Sequence, residues 1–156
     1  MRIDGDFFVV GERRYPIASR IVDDTPMPGI SSNPEPWTMR TRNVHLWFES
    51  GYIVSVSFGS MTYSDNHDAY PYSYPGPMTE FIEEPETVEV GVFHKDHKHL
   101  GHWGDGDSVI GYCNDVMVQG ILDLADRGVL EVTFDDHEFD DLVERLNRGV
   151  HDTAQE

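Results

Sequence analysis

Two segments of the chain alternate apolar and polar residues with a period of two, and this pattern limits the fold to one built around a β-sheet. In YIVSVSF, residues 52–58, the side chains of Val54, Val56 and Phe58 share one face, while Ile53 and two serines share the other. In VEVGVF, residues 88–93, three valines alternate in the same way. This period places one face of a strand in the core, so both segments are predicted to be half-buried strands.

Similar patterns with nearby turn residues predict further strands. Residues 43–49 are predicted to form a hairpin with residues 52–58 across Ser50 and Gly51. Residues 7–10 and 13–17 form a second hairpin across Gly11 and Glu12. HLGHW, residues 99–103, is predicted to be the strand that returns against residues 88–93, and VLEVTF, residues 129–134, alternates as well.

Prolines interrupt the chain in two places. Residues 23–36 carry four prolines, which exclude a helix or a central strand because proline cannot donate a backbone hydrogen bond. They are predicted to form a linker or an extended arm. Residues 59–85 include Pro71, Pro75, Pro77 and Pro85 and are predicted to form a long loop. Loops of this length inside a domain are usually functional or disordered.

Two helices are predicted late in the chain. The first, residues 114–127, has Asn114 as its N-cap and Gly128 as its stop. Its predicted apolar stripe consists of Met117, Ile121, Leu124 and Ala125. The second, residues 136–148, is predicted to begin at a cap formed by Asp135 or Asp136 and to end before Gly149.

Strands that dominate early and helices that come late indicate an α+β fold, with two helices packed on a mostly antiparallel sheet. A chain of 156 residues suits a single domain. Within it we expect an N-terminal hairpin (1–22), the proline-rich arm (23–36), the sheet with the loop 59–85 and the first helix (37–134), and the C-terminal helix (135–149).

Several classes of protein are disfavoured by composition. The apolar runs are far shorter than the roughly 20 residues that cross a bilayer, and the start of the chain lacks the pattern of a signal peptide. The single cysteine, Cys113, forms neither an intramolecular disulfide nor a Cys-based zinc site. We therefore expect a protein of the cytoplasm.

The formal net charge of −18 makes direct binding to nucleic acid or to an anionic membrane unfavourable, because the summed field repels both. A basic partner protein is expected instead. An equally weighted alternative is that the charge serves only solubility or adaptation to high salt.

Two acidic sets are candidates for binding such a partner. The first has no basic residue within it, whereas the second surrounds the predicted C-terminal helix, where acids near the N-terminus also complement the helix dipole. Tyrosines stiffened by prolines offer further contact area, or else cover the edge of the sheet. The predicted partner-binding residues are Glu80, Glu83, Glu84, Glu86, Tyr70, Tyr72, Tyr74, Asp135, Asp136, Asp140 and Asp141.

FHKDHKHLGHWGDGD, residues 93–107, contains four histidines that are candidate metal ligands: His94, His97, His99 and His102. If His97 and His99 lie on a strand they share a face, which permits a zinc or nickel site. The interleaved Lys95 and Lys98 oppose a dication, so a solvated hairpin is favoured and no cofactor is expected.

Ser64 lies close in sequence to Asp65, His67 and Asp68 and is a candidate nucleophile. Catalytic triads are assembled in space, and neighbours this close rarely have the required geometry. A turn is therefore favoured at this position, and no catalytic residue is predicted.

Three segments resemble small accessory proteins encoded by phages and prophages of actinobacteria. The resemblance covers about the middle half of the chain, with a VSVxFG strand at residues 54–59, a turn with Tyr63 and Asn66, alternating valines at residues 88–93, and Gly111 and Tyr112 before a helix. It implies that the chain comes from a mobile element, and it supplies no catalytic residues.

The acidic charge and the resemblance to proteins of mobile elements together predict a non-enzymatic binding protein. It would block a host defence protein that handles nucleic acid, as an inhibitor of CRISPR or restriction machinery does. Three alternatives stay open: a toxin immunity protein, a small-ligand protein that binds a nucleotide-like signal under the tyrosine loop, and a metal-dependent hydrolase built on the histidines. The oligomeric state is not predicted.

Overall fold

The computed structural model describes residues 1–31, 33–67, 69, 80–97, 99–104 and 107–134. It begins with a small antiparallel sheet of three strands, β1 (Arg2–Asp4), β2 (Phe7–Val10) and β3 (Arg13–Pro16), with β2 in the centre. The predicted hairpin is confirmed, because Val10 pairs with Arg13 across a turn in which Gly11 has a φ of +60°. Glycine adopts this left-handed conformation without steric cost.

The main sheet has five antiparallel strands. Its central hairpin is β5 (Trp37–Trp47) and β6 (Tyr52–Gly59), and β7 (Val88–His94) follows, which confirms both alternating segments as strands. Strand β5 begins at Trp37 and is therefore longer than the predicted strand 43–49. The edges are β4 (Ser19–Met27) and β9 (Val109–Cys113), and the order is β4-β5-β6-β7-β9.

The prediction of a linker for residues 23–36 is wrong for its first part. Residues 23–27 belong to β4 and pair with β5, from Asp23 opposite Thr41 to Met27 opposite Trp37. Pro26 is tolerated because β4 is an edge strand, where a residue that cannot donate a hydrogen bond does the least damage to the ladder. The prolines exclude a central strand, as predicted, but not an edge strand.

The prediction that HLGHW is the strand that returns against residues 88–93 is only partly right, since the Gly101 N–H donates to the Val92 carbonyl at 2.7 Å but no ladder with β7 forms. Only β8 (His102–Trp103) forms there, and it pairs with β10 (Val132–Thr133) in a separate two-stranded sheet. The strand that pairs with β7 is β9, which comes later in the sequence and places Ile110 opposite Val90.

The hydrophobic core lies on one face of the main sheet. Val44 and Leu46 of β5, together with the alternating valines of β6 and β7, face the helix α1 (Asp115–Arg127) on this side. Phe8 and Val10 of the small sheet join the same cluster of buried side chains. The two sheets and the helix therefore share one core.

The caps of α1 are confirmed. Asn114 Oδ1 accepts a hydrogen bond from the Met117 N–H at 2.9 Å, and Gly128 ends the helix with a φ of +73°. The predicted apolar stripe is partly wrong, because Met117 is exposed and Leu124 is only half-buried. The buried positions follow the helical spacing of three and four residues: Val118, Ile121, Leu122 and Ala125.

An α+β fold built on a mostly antiparallel sheet is thus confirmed, with one helix within the described residues. The predicted C-terminal helix lies outside them. In the part of the chain that the structure describes, no helix is long and apolar enough to cross a membrane.

Candidate functional site

The acidic residues of the first predicted set lie on a short piece of chain, residues 80–86, here called the acidic segment, which runs against the end of the main sheet. Asn66, fully buried, binds the backbone of Ile82 through both ends of its amide. The Asp65 carboxylate accepts hydrogen bonds from the N–H groups of Glu86 and Thr87. The N-terminal ammonium of Met1 donates to the carbonyl of Pro85 at 3.0 Å. Three groups therefore fix the backbone of the acidic segment, two on adjacent residues of one turn and the third at the N-terminus.

Arg42 supplies a fourth anchor. Its side chain is only 7 % exposed, at the end of the inner face of β5, and it donates to Asp24 Oδ1 at 2.9 Å and to Glu83 Oε1 at 3.2 Å. The pKa of the Asp24 carboxyl lies below its ordinary value mainly because Arg42 donates a hydrogen bond to it. The charges of Arg42 and Arg40 lower this pKa further. The buried guanidinium thus ties β4, β5 and the acidic segment together.

Phe81 of the acidic segment packs against two guanidinium groups. The Arg42 guanidinium carbon lies 5.0 Å from the centre of the Phe81 ring, and that of Arg40 lies 6.0 Å from it. The ring also stacks on buried Phe58, with centroids 6.2 Å apart and planes at 15°. Cation–π and stacking contacts of this kind hold an aromatic side chain in one orientation.

Beside Phe81 is an open cleft of about 570 Å³ between the first residues of β5 and the acidic segment. Its walls include the aromatic rings of Trp37 and Phe81, and its polar groups are Arg40, Glu80 and Glu83. Because β6 ends at Gly59, opposite Thr41, the start of β5 projects past the central hairpin and leaves room for the cleft. An aromatic wall with carboxylates at its rim suits a cationic side chain.

Although the first acidic set has no basic residue within it, arginines from other parts of the chain lie beside it. Arg42 pairs with Glu83, and Arg2 lies 3.9 Å from Glu84, because distant strands bring arginines to this end of the sheet. Glu80, Glu84 and Glu86 are nevertheless exposed. The other predicted partner-binding residues lie outside the described residues: Tyr70, Tyr72, Tyr74, Asp135, Asp136, Asp140 and Asp141.

His97 and His99 do not lie on a strand, which is the arrangement that the metal hypothesis considered. His94 ends β7 and His102 begins β8, while the backbone at residues 95–97 forms a turn. The His97 ring stacks on Phe134 with centroids 4.4 Å apart, and the His94 ring meets the edge of Tyr52 at 4.9 Å. Within the described ranges, no group of three or more His, Cys, Asp or Glu side chains is arranged to hold a metal ion.

Ser64 belongs to a buried turn. Its Oγ accepts a hydrogen bond from the Asn66 N–H at 3.1 Å and shares a hydrogen with the Thr62 hydroxyl at 2.7 Å. Nearby Asp65 binds the acidic segment, and the ring of His67 stacks on Tyr63. These contacts fit the predicted turn, in which the serine oxygen organises the backbone.

Sequence reasoning missed Trp37, Arg42 and Phe81, since each acts through a partner that is distant in the chain. The one local signal was the pair of arginines at Arg40 and Arg42, whose spacing of two places both on one face of a strand. Compared with models of known protein families, with curated proteins and with solved structures, the chain matches none of them.

Proposed function

We propose that this chain is a non-catalytic binding protein whose acidic segment binds a basic surface of a partner protein. One observation carries the proposal: the backbone of this segment is fixed by Asn66, Asp65 and the N-terminus, while the side chains of Glu80, Glu84 and Glu86 stay exposed. A flexible acidic tract would suffice for solubility. A fixed one loses less conformational entropy when it binds.

The distribution of charge supports a basic partner. All six arginines in the first fifty residues form ion pairs with acids of the same chain: Arg2, Arg13, Arg14, Arg20, Arg40 and Arg42. Carboxylates greatly outnumber these cations, since the net charge is −18. The resulting field attracts and orients a positively charged protein and repels nucleic acid.

Proteins that handle nucleic acid present lysine and arginine to phosphates, so an acidic protein competes for the same surface. We therefore propose that the partner is a host defence protein of the CRISPR or restriction type, blocked in the cytoplasm. The resemblance to accessory proteins of phages and prophages supports this setting. The cleft beside Phe81 would then accept a basic side chain from the partner, against Trp37 and Glu80.

The test compares two variants of equal charge. In the first, Glu80, Glu84 and Glu86 become Gln, and Glu83 is kept because it pairs with Arg42. In the control, Glu12, Glu49 and Glu131, which are exposed in other connecting segments, become Gln. Each protein is immobilised and exposed to host lysate at about 0.05 M and about 0.3 M salt, where screening differs strongly.

We expect the wild type and the control to retain a basic, nucleic-acid-binding protein at low salt and to release it at the higher salt. The first variant should not retain this protein. The purified partner should then lose its nucleic acid when the wild-type chain is added. Retention by all three proteins alike, or a complex that leaves the nucleic acid in place, would contradict it.

A second function is favoured by the volume of the cleft, about 570 Å³, which is within the usual range of small-ligand sites. In that case a small ligand with a cationic or aromatic group, stacked on Trp37 beside the Glu80 carboxylate, is the natural partner of the chain. Thermal stabilisation by a panel of nucleotides and organic cations distinguishes this function, since a protein inhibitor should show no such shift. Trp37→Ala would remove any shift that arises in the cleft.

A further inference from the structure

A bulge in the edge strand β9 changes the direction of one aromatic side chain. Val88 pairs with Cys113 and Val90 with Ile110, so two steps along β7 correspond to three along β9. The extra residue falls at Gly111 and Tyr112, and Tyr112 has a φ of +53°. Bulky residues rarely adopt this left-handed conformation, and bulges near sites often redirect a side chain.

The unusual conformation of Tyr112 is held by contacts with a second tyrosine. The Tyr112 N–H donates to the carbonyl of Tyr63 at 2.7 Å. Gly111 allows this approach, because a Cβ at that position would lie 2.5 Å from the Cβ of Tyr63. The Tyr63 N–H in turn donates to the Glu89 carboxylate at 2.9 Å. The bulge and the turn that carries Tyr63 therefore form one fixed unit.

The His67 ring stacks on Tyr63 at 5.6 Å and lies 6.5 Å from the Tyr112 ring, but it covers only part of the two tyrosines. Tyr63 and Tyr112 are each 52 % exposed, and their ring centres lie 6.3 Å apart with planes at 57°. Strained backbone persists where the surrounding structure imposes it and is found preferentially at functional sites. Here the strain leaves an aromatic ring exposed beside another.

Next to these rings is a second cleft, of about 380 Å³. The two tyrosines form part of its wall, Asp107 supplies an exposed carboxylate, and none of the described residues that line it is basic: Tyr63, Asp107, Ser108, Val109, Gly111 and Tyr112. Exposed tyrosine faces beside a carboxylate attract an organic cation, since the ring faces and the carboxylate both carry negative potential.

We propose that this cleft binds a guanidinium group. A planar guanidinium stacks on a tyrosine ring and can donate two parallel hydrogen bonds to a carboxylate such as Asp107, which a compact ammonium cannot do. Nucleotides are disfavoured because the carboxylate and the net charge of −18 repel phosphate. The site is separate from the acidic segment, so it does not depend on the function proposed above.

The test titrates the full chain with N-acetyl-arginine amide, with the matching lysine compound and with AMP, while backbone amide shifts are recorded by NMR. The arginine compound should bind saturably, shift the signals of Tyr63, Ser108 and Tyr112, and bind at least about fivefold more tightly than the lysine compound. Equal binding of the two cations, tighter binding of AMP, or shifts elsewhere in the protein would overturn the proposal.

Three variants separate binding from folding. Tyr112→Phe keeps the ring and should bind within about twofold of the wild type, whereas Asp107→Asn should weaken binding about fivefold or more. Tyr112→Gly removes the ring and also relieves the strained backbone, so its loss of binding should come without a fall in melting temperature. Undiminished binding by both Asp107→Asn and Tyr112→Gly would overturn the proposal.

The source of the group is decided with a blocked Gly-Arg-Gly peptide. If the peptide binds more tightly than the free arginine compound, the site takes an arginine of a protein. If the two bind equally, it recognises the guanidinium group alone, as in a small metabolite. Either outcome supports a guanidinium site, and failure of both compounds to bind would overturn it.

Discussion

Asn66 pairs with the backbone of Ile82 as a neighbouring strand would. Its Nδ2 donates to the Ile82 carbonyl at 3.0 Å, and its Oδ1 accepts from the Ile82 N–H at 2.6 Å. The side chain is fully buried, so water does not replace either bond. This one amide closes the long excursion between β6 and β7 and fixes the position from which the acidic segment is presented.

Replacing Asn66 by Ala should therefore destabilise the protein by about 2 kcal/mol, because a fully buried amide and its two hydrogen bonds to the backbone of Ile82 are lost. Urea unfolding measures this loss. Hydrogen exchange at the Ile82 amide should also quicken more than exchange in β6, which separates local release from general loss of stability. Equal acceleration at both places would contradict this role for Asn66.

Arg42 controls the ionisation of Asp24, whose pKa lies below its ordinary value of 3.8 mainly because Arg42 donates a hydrogen bond to it. A depressed pKa stabilises the folded state above pH 3.8, and the contribution disappears as the pH falls through the lower folded value. Arg42→Met should bring the Asp24 pKa back toward 3.8 and flatten the acid dependence of unfolding. Carboxyl titration by NMR measures the pKa directly.

The same substitution should lower stability at neutral pH, on the order of 2 kcal/mol, since the hydrogen bonds of a buried charged group are lost. Arg42→Lys is the matched control, because it keeps the charge but not the forked contacts with Asp24 and Glu83. The stability of Arg42→Lys at neutral pH should lie between those of the wild type and Arg42→Met. An unchanged Asp24 pKa in Arg42→Met would show that another group sets it.

The elements that the sequence predicted well depend on nearby residues. The alternation around Val54 and Val90 identified β6 and β7, and Asn114 and Gly128 identified the ends of α1, because periodicity and capping act over a few positions. Arg42 and Glu83 are 41 residues apart, and their ion pair depends on how the strands are ordered. No short pattern encodes such a contact.

Edge strands and bulges account for the other differences between the predicted and the observed fold. The prolines of residues 23–36 favour an extended arm over a strand, yet residues 23–27 belong to the edge strand β4, which accepts Pro26. No strand is predicted from the sequence at residues 109–113, and their pairing with β7 is set by tertiary packing. The left-handed conformation of Tyr112 is not predictable from the neighbouring sequence, since it requires the carbonyl of Tyr63 and the small Gly111.

Cys113 should be almost inert in the folded protein. It is fully buried in the core, and burial raises the pKa of its thiol to about 11 from an ordinary value of 9.0. At pH 8 the reactive thiolate is then about a hundredfold rarer than in the unfolded chain. Iodoacetamide should label the folded protein at least that much more slowly than the protein in urea.

The same shift has a consequence for stability in alkali. Because the folded thiol holds its proton up to about pH 11, the folded state binds more protons than the unfolded state above pH 9.0, and stability should fall across this interval. Cys113→Ala removes this component, so the two proteins should differ most in slope above pH 9.0. Rapid labelling of the native protein at about pH 8 would contradict a buried, protonated thiol.

Tyr112 offers a direct measure of backbone strain. Tyr112→Ala and Tyr112→Gly both remove the ring, but only glycine adopts a φ of +53° without steric cost. Tyr112→Gly should therefore be more stable than Tyr112→Ala by about 1 kcal/mol, the usual cost of a left-handed residue with a Cβ. At an ordinary strand position the order would be reversed, because glycine weakens a strand. Urea unfolding of the two variants, with Tyr112→Phe as the reference that keeps the ring, therefore tests the bulge itself, and greater stability of the alanine variant would show that β9 is regular in solution.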